Sequence, residues 1–366
     1  MVVYSRVGGG HLSAARALAD ELQTAGEVTA TIVDAYLECA RFPVTLFPAL
    51  YARLARHHPQ LWSMVYQGSQ ALDSTRVLAP FLKRGFSRLM AEERPELVVS
   101  VLPGINGLLV KAAASTRARF EVVLTDWHSV HPFWVAPGVG HYTAPTASAR
   151  NDCVRFGALE ASVTVVGIPV RRMFATEMDR ASVRERCLRE LGLDPRRFTV
   201  LAMVGAEGSP RALLNIARLA LIEKDVQTLV VCGWNTDLRR RVAQLPSRTP
   251  MLGVGFVDNV AELMRAADVL VTKAGGLTLA EAFACAVPTV VHDVLAGQEA
   301  GNLEYVLQRD AVAYASNPDQ LVERIAELYD DPGRRARLAE CGARLARPTA
   351  AQQIARELLT RLAAAR

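Results

Sequence analysis

Residues Lys273-Ala274-Gly275-Gly276-Leu277-Thr278-Leu279-Ala280-Glu281 concentrate groups suited to holding a nucleotide. Two adjacent glycines between a strand and a helix let backbone N–H groups approach an anion. The helix start adds partial positive charge where a phosphate would sit. Glu281 falls near one turn into the helix, in reach of ribose hydroxyls. A second glycine turn, Gly8-Gly9-Gly10, leads directly to His11. Positive potential at a helix N-terminus keeps an imidazole neutral, so His11 is a candidate proton acceptor. The same turn, read as Gly8-x-Gly10-x-x-Ser13 with Asp34 placed 24 residues past Gly10, approximates a dinucleotide fingerprint. Its third glycine is missing.

Three further stretches carry polar chemistry. Asp126, His128, His131 and Trp134 lie in one loop after a strand end, where functional loops of parallel sheets gather. Their spacing matches no standard zinc pattern, and no metal is expected. Gly255-Phe256-Val257-Asp258-Asn259 offers backbone groups at Val257 to a pyrimidine edge, with Asp258 as a helix cap. Gln298 and Glu299, in Gly297-Gln298-Glu299-Ala300-Gly301-Asn302, place an amide and a carboxylate where sugar hydroxyls can be gripped.

These loops need strand ends to hold them, and the hydropathy pattern supplies strands alternating with helices. That argues for parallel sheets covered on both faces. In the first half, strands are expected at 2–5, 29–34, 97–102, 120–125 and 162–166, with a helix over 11–26. Residues 36–94 read as a helical insertion broken at Pro43, Pro48, Pro59 and Pro80. In the second half, strands are expected at 198–204, 227–232, 268–272 and 287–292. The division is residues 1–166, then 167–345, then a helical tail 346–366 that could pack back across the hinge.

At 366 residues the chain exceeds what one core organises. Half of its residues are apolar, no window approaches a membrane span, and nothing at the N-terminus resembles a signal peptide. Six scattered cysteines without a CxxC spacing read as reduced thiols of a cytosolic protein. The net charge of +5 is matched by residues 36–90, with seven basic side chains (Arg41, Arg53, Arg56, Arg76, Lys83, Arg84, Arg88) against Glu38 and Asp73. Basic residues interleaved with Tyr36, Phe42, Phe47, Tyr51, Trp62 and Tyr66 suit an anionic membrane surface. The plainer alternative is helices with a solvated charged face and an aromatic core face. Overall basicity is too weak to suggest nucleic acid.

Six motifs occur in order: Ser5-x-x-Gly8-Gly9-Gly10-His11; Thr125-Asp126 with His131-Pro132-x-Trp134; Gly167-Ile168-Pro169-Val170-Arg171; Gly255-Phe256-Val257-Asp258-Asn259; Lys273-Ala274-Gly275-Gly276-Leu277-Thr278-x-Ala280-Glu281-Ala282; and Gly297-Gln298-Glu299-x-Gly301-Asn302. Together they make the chain resemble the monogalactosyldiacylglycerol synthase and processive diacylglycerol glucosyltransferase family over essentially its whole length. That resemblance implies a GT-B fold of the α/β class, two Rossmann-like domains with parallel sheets facing a central cleft. It further implies UDP-glucose or UDP-galactose as donor, a lipid acceptor such as diacylglycerol, inversion at the anomeric carbon, and no cofactor or metal.

By the same resemblance His11 matches the catalytic base. Arg171, Gly205, Phe256, Val257, Gly275, Gly276, Leu277, Thr278, Glu281, Gln298 and Asn302 fall on the nucleotide-sugar side. Glu299 pairs with Gln298 on the sugar and stands with His11 in the chemistry. Gly9, Gly10, Asp126, His131 and Trp134 fall on the acceptor side. The expected location is cytoplasmic, peripheral to the inner face of the cell membrane. Gly275–Thr278 leans toward the glucosyl branch and His131-Pro132-x-Trp134 toward the galactosyl one, which leaves the hexose open. A soluble acceptor, a non-catalytic UDP-sugar sensor, a UDP-sugar epimerase and an NAD-dependent oxidoreductase are the alternatives.

Overall fold

The computed structural model describes residues 1–6, 9–26, 28–204, 211–295, 297 and 299–364. They form two compact units. The first takes residues 1–172, 296–302 and 347–366; the second takes 173–295 and 303–346. The boundary at 172 lies just beyond the expected 166, and the 296–302 loop joins the first unit instead of the second.

In the first unit β1 (Val2–Tyr4) lies between β2 (Ile32–Asp34) and β3 (Leu97–Ser100). Beyond β3 come β4 (Arg119–Val123), β5 (His141–Ala144) and β6 (Val163–Val165), all parallel. β-Branched runs such as Val2-Val3 and Val98-Val99 suit strands buried on both faces. The chain leaves β1 to one side for β2 and then crosses to the other for β3. Loops after β1 and β3 therefore flank the switch point where such sheets hold ligands. β5 was not expected, because only Tyr142 and Ala144 of its four residues are apolar. All four are buried nonetheless, and His141 Nε2 is hydrogen-bonded to Thr164 Oγ1 at 3.0 Å.

The second sheet is likewise parallel. It runs β12 (Ala313–Tyr314), β11 (Thr289–Asp293), β10 (Val269–Lys273), β7 (Phe198–Met203), β8 (Val226–Val231) and β9 (Met251–Val254). Its switch point lies between β7 and β10. Arginines close several helix ends here, where carbonyls carry partial negative charge. Arg180 donates to the carbonyls of Arg265 (2.9 Å) and Ala267 (2.7 Å), and Arg184 to that of Ala266, at the end of the helix Val260–Ala266.

The insertion is four helices: Ala35–Cys39, Phe47–His57, Pro59–Ser69 and Ser74–Glu93. Pro48 and Pro59 open helices, where a missing N–H costs nothing. Pro80, expected to break the last helix, lies inside it on the solvent side, where water can meet the freed carbonyl. Gly85 lets this helix press against the first. A Cβ there would stand 2.0 Å from the Cys39 carbonyl oxygen.

The tail forms a helix, Ala350–Ala363, that packs in the first unit. Ala350, Ile354, Ala355 and Leu358 lie in one core with Ala15, Leu18, Ala19 and Leu22 of the first helix, Gly9–Ala25. Gly167, with φ +143°, admits the chain entering this helix, since a Cβ there would lie 2.6 Å from that of Arg347. A bidentate ion pair fixes the far end. Arg361 Nη2 lies 2.8 Å and Nε 3.0 Å from Glu121 Oε2 on β4, with the Glu121 side chain 2% exposed. Arg361→Ala would leave a buried carboxylate unpaired, an expected loss of about 3–5 kcal/mol. Arg361→Lys should recover only part, lacking the planar fork. Denaturant titration of both variants measures this; an unchanged midpoint for Arg361→Ala would show that the pair does not anchor the tail.

Candidate active site

His11 occupies the first turn of the helix Gly9–Ala25, directly after β1 and at the switch point of the first sheet. Gly9 and Gly10 are its first two residues; Gly8 lies outside the described residues. His11 is half-buried, with its ring centroid 6.3 Å from that of Trp134. Trp134 is completely buried, and its Nε1–H donates to Asp126 Oδ2 at 2.8 Å. Asn106 Nδ2 donates to the Trp134 carbonyl at 2.9 Å. Glu299, buried in the 296–302 loop of the same unit, acts electrostatically on Asp126. Burial first, and then the Glu299 charge, raise the Asp126 pKa to about 6 against the opposing hydrogen bond from Trp134.

His131 has a bracing position. Its Nδ1 accepts the Phe133 N–H at 3.1 Å, which leaves Nε2 to carry the proton toward Ser69 Oγ at 3.1 Å. Burial lowers its pKa and keeps the ring neutral. Ser69 and Tyr66 stand one turn apart on the helix Pro59–Ser69, so His131 fastens the insertion to the Asp126–Trp134 loop. The rings continue outward through Tyr66, Trp62, Tyr51 and Phe47 to Tyr36 at centroid spacings of 4.8–6.5 Å. Of these aromatics Tyr36 and Tyr51 are buried, Trp62 and Tyr66 half-buried, and Phe47 exposed, as is Phe42 outside this file.

The 296–302 loop closes on the same region. Asn302, buried, accepts the Trp127 N–H on Oδ1 at 2.8 Å, a tie between loops that the motif did not suggest. Gly301 passes so near that a Cβ would lie 2.5 Å from the His128 carbonyl oxygen. Gly297, at φ +86°, brings the backbone against Tyr66. Gln298 lies outside the described residues. His128 Nδ1 meets Ser148 Oγ, and the Val130 N–H reaches Asp152 Oδ2 at 3.0 Å. The Asp126–His131 loop is thus held from two sides, and its two histidines face different partners. Among the described residues no cluster of three metal-ligating side chains forms. Arg171, half-buried, lies in the same unit just before the helix Arg172–Ala175.

In the second unit the glycine turn follows β10, at that sheet's switch point. Gly275 is the N-cap of the helix Gly276–Ala284 and has no side chain to close it; no acidic residue stands in the first turn. Elsewhere Asp34, Asp73, Thr146, Asp179, Asn235, Asn317 and Asp331 close helices with side-chain acceptors. The helix start at Gly275 carries the partial positive charge that suits an anion. Thr278 is half-buried in the first turn, Leu277 points into the core, and Glu281 lies buried one turn on. Phe256 is exposed and Val257 half-buried just after β9. Asn259, rather than Asp258, is the N-cap of the following helix. Gly205 lies outside the described residues.

Sequence reasoning did not find Ser69, Asn106, Thr146 or Ser148, which act through hydrogen bonds to distant loops. The spacing of Tyr66 and Ser69 on one helix face was the available signal.

Two six-stranded parallel sheets, each with a glycine-led helix at its switch point, give the chain the GT-B fold of glycosyltransferases. Residues 11–170 match the family model described as monogalactosyldiacylglycerol (MGDG) synthase, and residues 198–344 that of glycosyl transferases group 1. A monogalactosyldiacylglycerol synthase of Spinacia oleracea is 29% identical, covering 98% of this chain and 71% of its own. A processive diacylglycerol beta-glucosyltransferase of Bacillus licheniformis is 26% identical, covering 90% and 86%. The fold is shared with crystalline MurG of Acinetobacter baumannii at a TM-score of 0.62 and 14% identity, over 98% of both chains. The chain thus carries an MGDG synthase domain followed by a glycosyl transferases group 1 domain, and over most of its length it is similar to monogalactosyldiacylglycerol synthases and processive diacylglycerol glucosyltransferases.

Asp126 gives the site a pH signature. Its folded-state pKa lies above the ordinary 3.8, so the native state keeps this proton longer than the unfolded chain. Its contribution to stability is therefore full below 3.8 and is lost as pH rises toward about 6. Asp126→Asn keeps an acceptor for Trp134 and should gain about 2 kcal/mol on wild type between pH 4 and 7. Parallel denaturation curves of the two proteins across that range would show the carboxylate to be unperturbed.

Proposed function

We propose that this chain is an inverting glycosyltransferase that moves a hexose from a UDP-sugar to diacylglycerol or a related lipid at an anionic membrane surface. The observation carrying the reading is the position of His11, a half-buried imidazole at a switch-point helix start, beside Trp134 and near the Asp126–Glu299 carboxylates. His11 takes the proton of the acceptor hydroxyl as its oxygen attacks the anomeric carbon. The bond from that carbon to the diphosphate breaks on the opposite face, and UDP leaves with the electron pair. The N–H groups after Gly275, with Arg171 and Lys273, offset the charge that develops on the leaving diphosphate. No metal takes part in this reading. Gln298 and Glu299 hold the hexose hydroxyls, Glu281 the ribose, and Val257 the uracil edge. The names of the spinach and Bacillus licheniformis relatives support diacylglycerol as acceptor, and their two hexoses keep both donors in view.

The membrane surface is drawn from the insertion. The insertion exposes Leu37, Phe42, Leu46, Phe47, Leu50, Met64 and Leu72, together with Arg41, Arg53, Lys83 and Arg84. Exposed apolar side chains mixed with cations in one segment fit an anionic lipid surface. No helix of the described residues is long and apolar enough to cross a membrane.

Incubation with labelled UDP-glucose or UDP-galactose and diacylglycerol, followed by lipid extraction, should transfer label to the lipid phase. Label confined to a soluble acceptor, or none transferred, overturns the reading. His11→Ala should lower turnover at least about a hundredfold while UDP binding persists. Near-wild-type turnover would remove the proposed base. Reversing Arg53 and Arg56 to Glu should weaken sedimentation with phosphatidylglycerol vesicles about tenfold or more. Leu50→Ser with Met64→Ser should weaken it on neutral vesicles too. Unchanged sedimentation of both variants would place docking elsewhere.

A further inference from the structure

Trp234 is among the most exposed large apolar side chains described, at 74%, yet it is neither in the outer face of the insertion nor isolated. It stacks on Phe256 with centroids 4.5 Å apart and an interplanar angle of 10°. The two rings come from turns at the carboxyl ends of neighbouring strands, β8 and β9. The turn bearing Trp234 is set by its backbone. Gly233 takes φ +55°, the Cys232 N–H bonds the Val254 carbonyl at 2.9 Å, and Asn235 Oδ1 caps the next helix through the Leu238 N–H. Fold stability therefore owes little to the indole.

We infer that Trp234 is a positioning residue for the base of the donor nucleotide, and this rests on the donor site proposed above. At 4.5 Å the pair leaves no room for a third ring between its members, which would need about 7 Å. Phe256 still has 45% of its surface exposed with one face covered by Trp234. The indole backs the phenyl ring, holds it in one orientation, and leaves its other face as a platform for a flat base. Val257 follows directly, with backbone groups for the base edge.

The placement fits a nucleoside diphosphate lying along the sheet edge. From β10, which leads into the Gly275 turn, to β9 there are three steps (β10 to β7 to β8 to β9), a span of about 14 Å. One end of such a ligand is a diphosphate suited to the positive start of the helix Gly276–Ala284, the other a π-face suited to an aromatic platform. Pyrimidine alone among its parts would sense Trp234.

The test compares wild type, Trp234→Ala and Trp234→Phe by calorimetry with UDP and with inorganic pyrophosphate, alongside donor KM and kcat. Trp234→Ala should weaken UDP binding and raise donor KM about tenfold, leaving kcat, pyrophosphate affinity and the melting temperature unchanged. Trp234→Phe should restore most of the loss. Wild-type affinity of Trp234→Ala for UDP would overturn the inference and leave the donor reading intact. An equal loss of pyrophosphate and UDP binding would also overturn it, marking a general disturbance. A wild-type protein that fails to bind UDP would overturn the donor reading itself.

Discussion

The hydrogen bond from the Trp134 indole to Asp126 is the constraint around which the first unit's site is arranged. An indole N–H in a dry interior must find an acceptor, and a carboxylate there must find donors or hold its proton. Each meets the other's requirement, so the loop after β4 cannot relax without exposing both. His11 packs against the indole, Glu299 acts on the carboxylate, and Asn106 and His131 hold the backbone on either side. A rigid floor of this kind suits a general base, whose effect depends on its reach to one hydroxyl.

The two units use one device in different sequences. Each has glycines where strand passes to helix at its switch point, and neither helix has an acidic residue in its first turn. A helix start without an acidic group keeps its positive potential for something outside the chain. Arginine is used conversely. In the second unit, whose charges nearly balance, Arg180 and Arg184 are directed at a helix carboxyl end. The pI of 9.0 consequently says less about partners than the local surface of the insertion does.

Legibility from sequence followed the range of the interactions. Glycine turns, β-branched strands and the tail helix are local signals, and they stand close to where periodicity put them. β5 was missed because its burial depends on a neighbour, Thr164, and not on its own hydropathy. Pro80 does not end its helix, because the cost of a proline there is outweighed by the burial of Leu82, Phe86, Leu89 and Met90 on the same helix. Placing the 296–302 loop with the first unit required Trp127 and Tyr66, about 175 and 230 residues distant. Asp126, His131 and Trp134 were legible as a group from strand-end position, but their division into acceptor, brace and ring was not, since tautomer and partner are three-dimensional facts.

The file of rings from Tyr36 to His131 keeps the interior of the insertion separate from its exterior. Tyr51, Trp62 and Tyr66 serve one another and the brace at His131, whereas Leu50 and Met64 serve only whatever lies outside. Exchanges among the outward aliphatics can retune affinity for a surface without touching the inner stack. Descendants of this scaffold are thus free to change where they dock while inheriting the same reaction chamber.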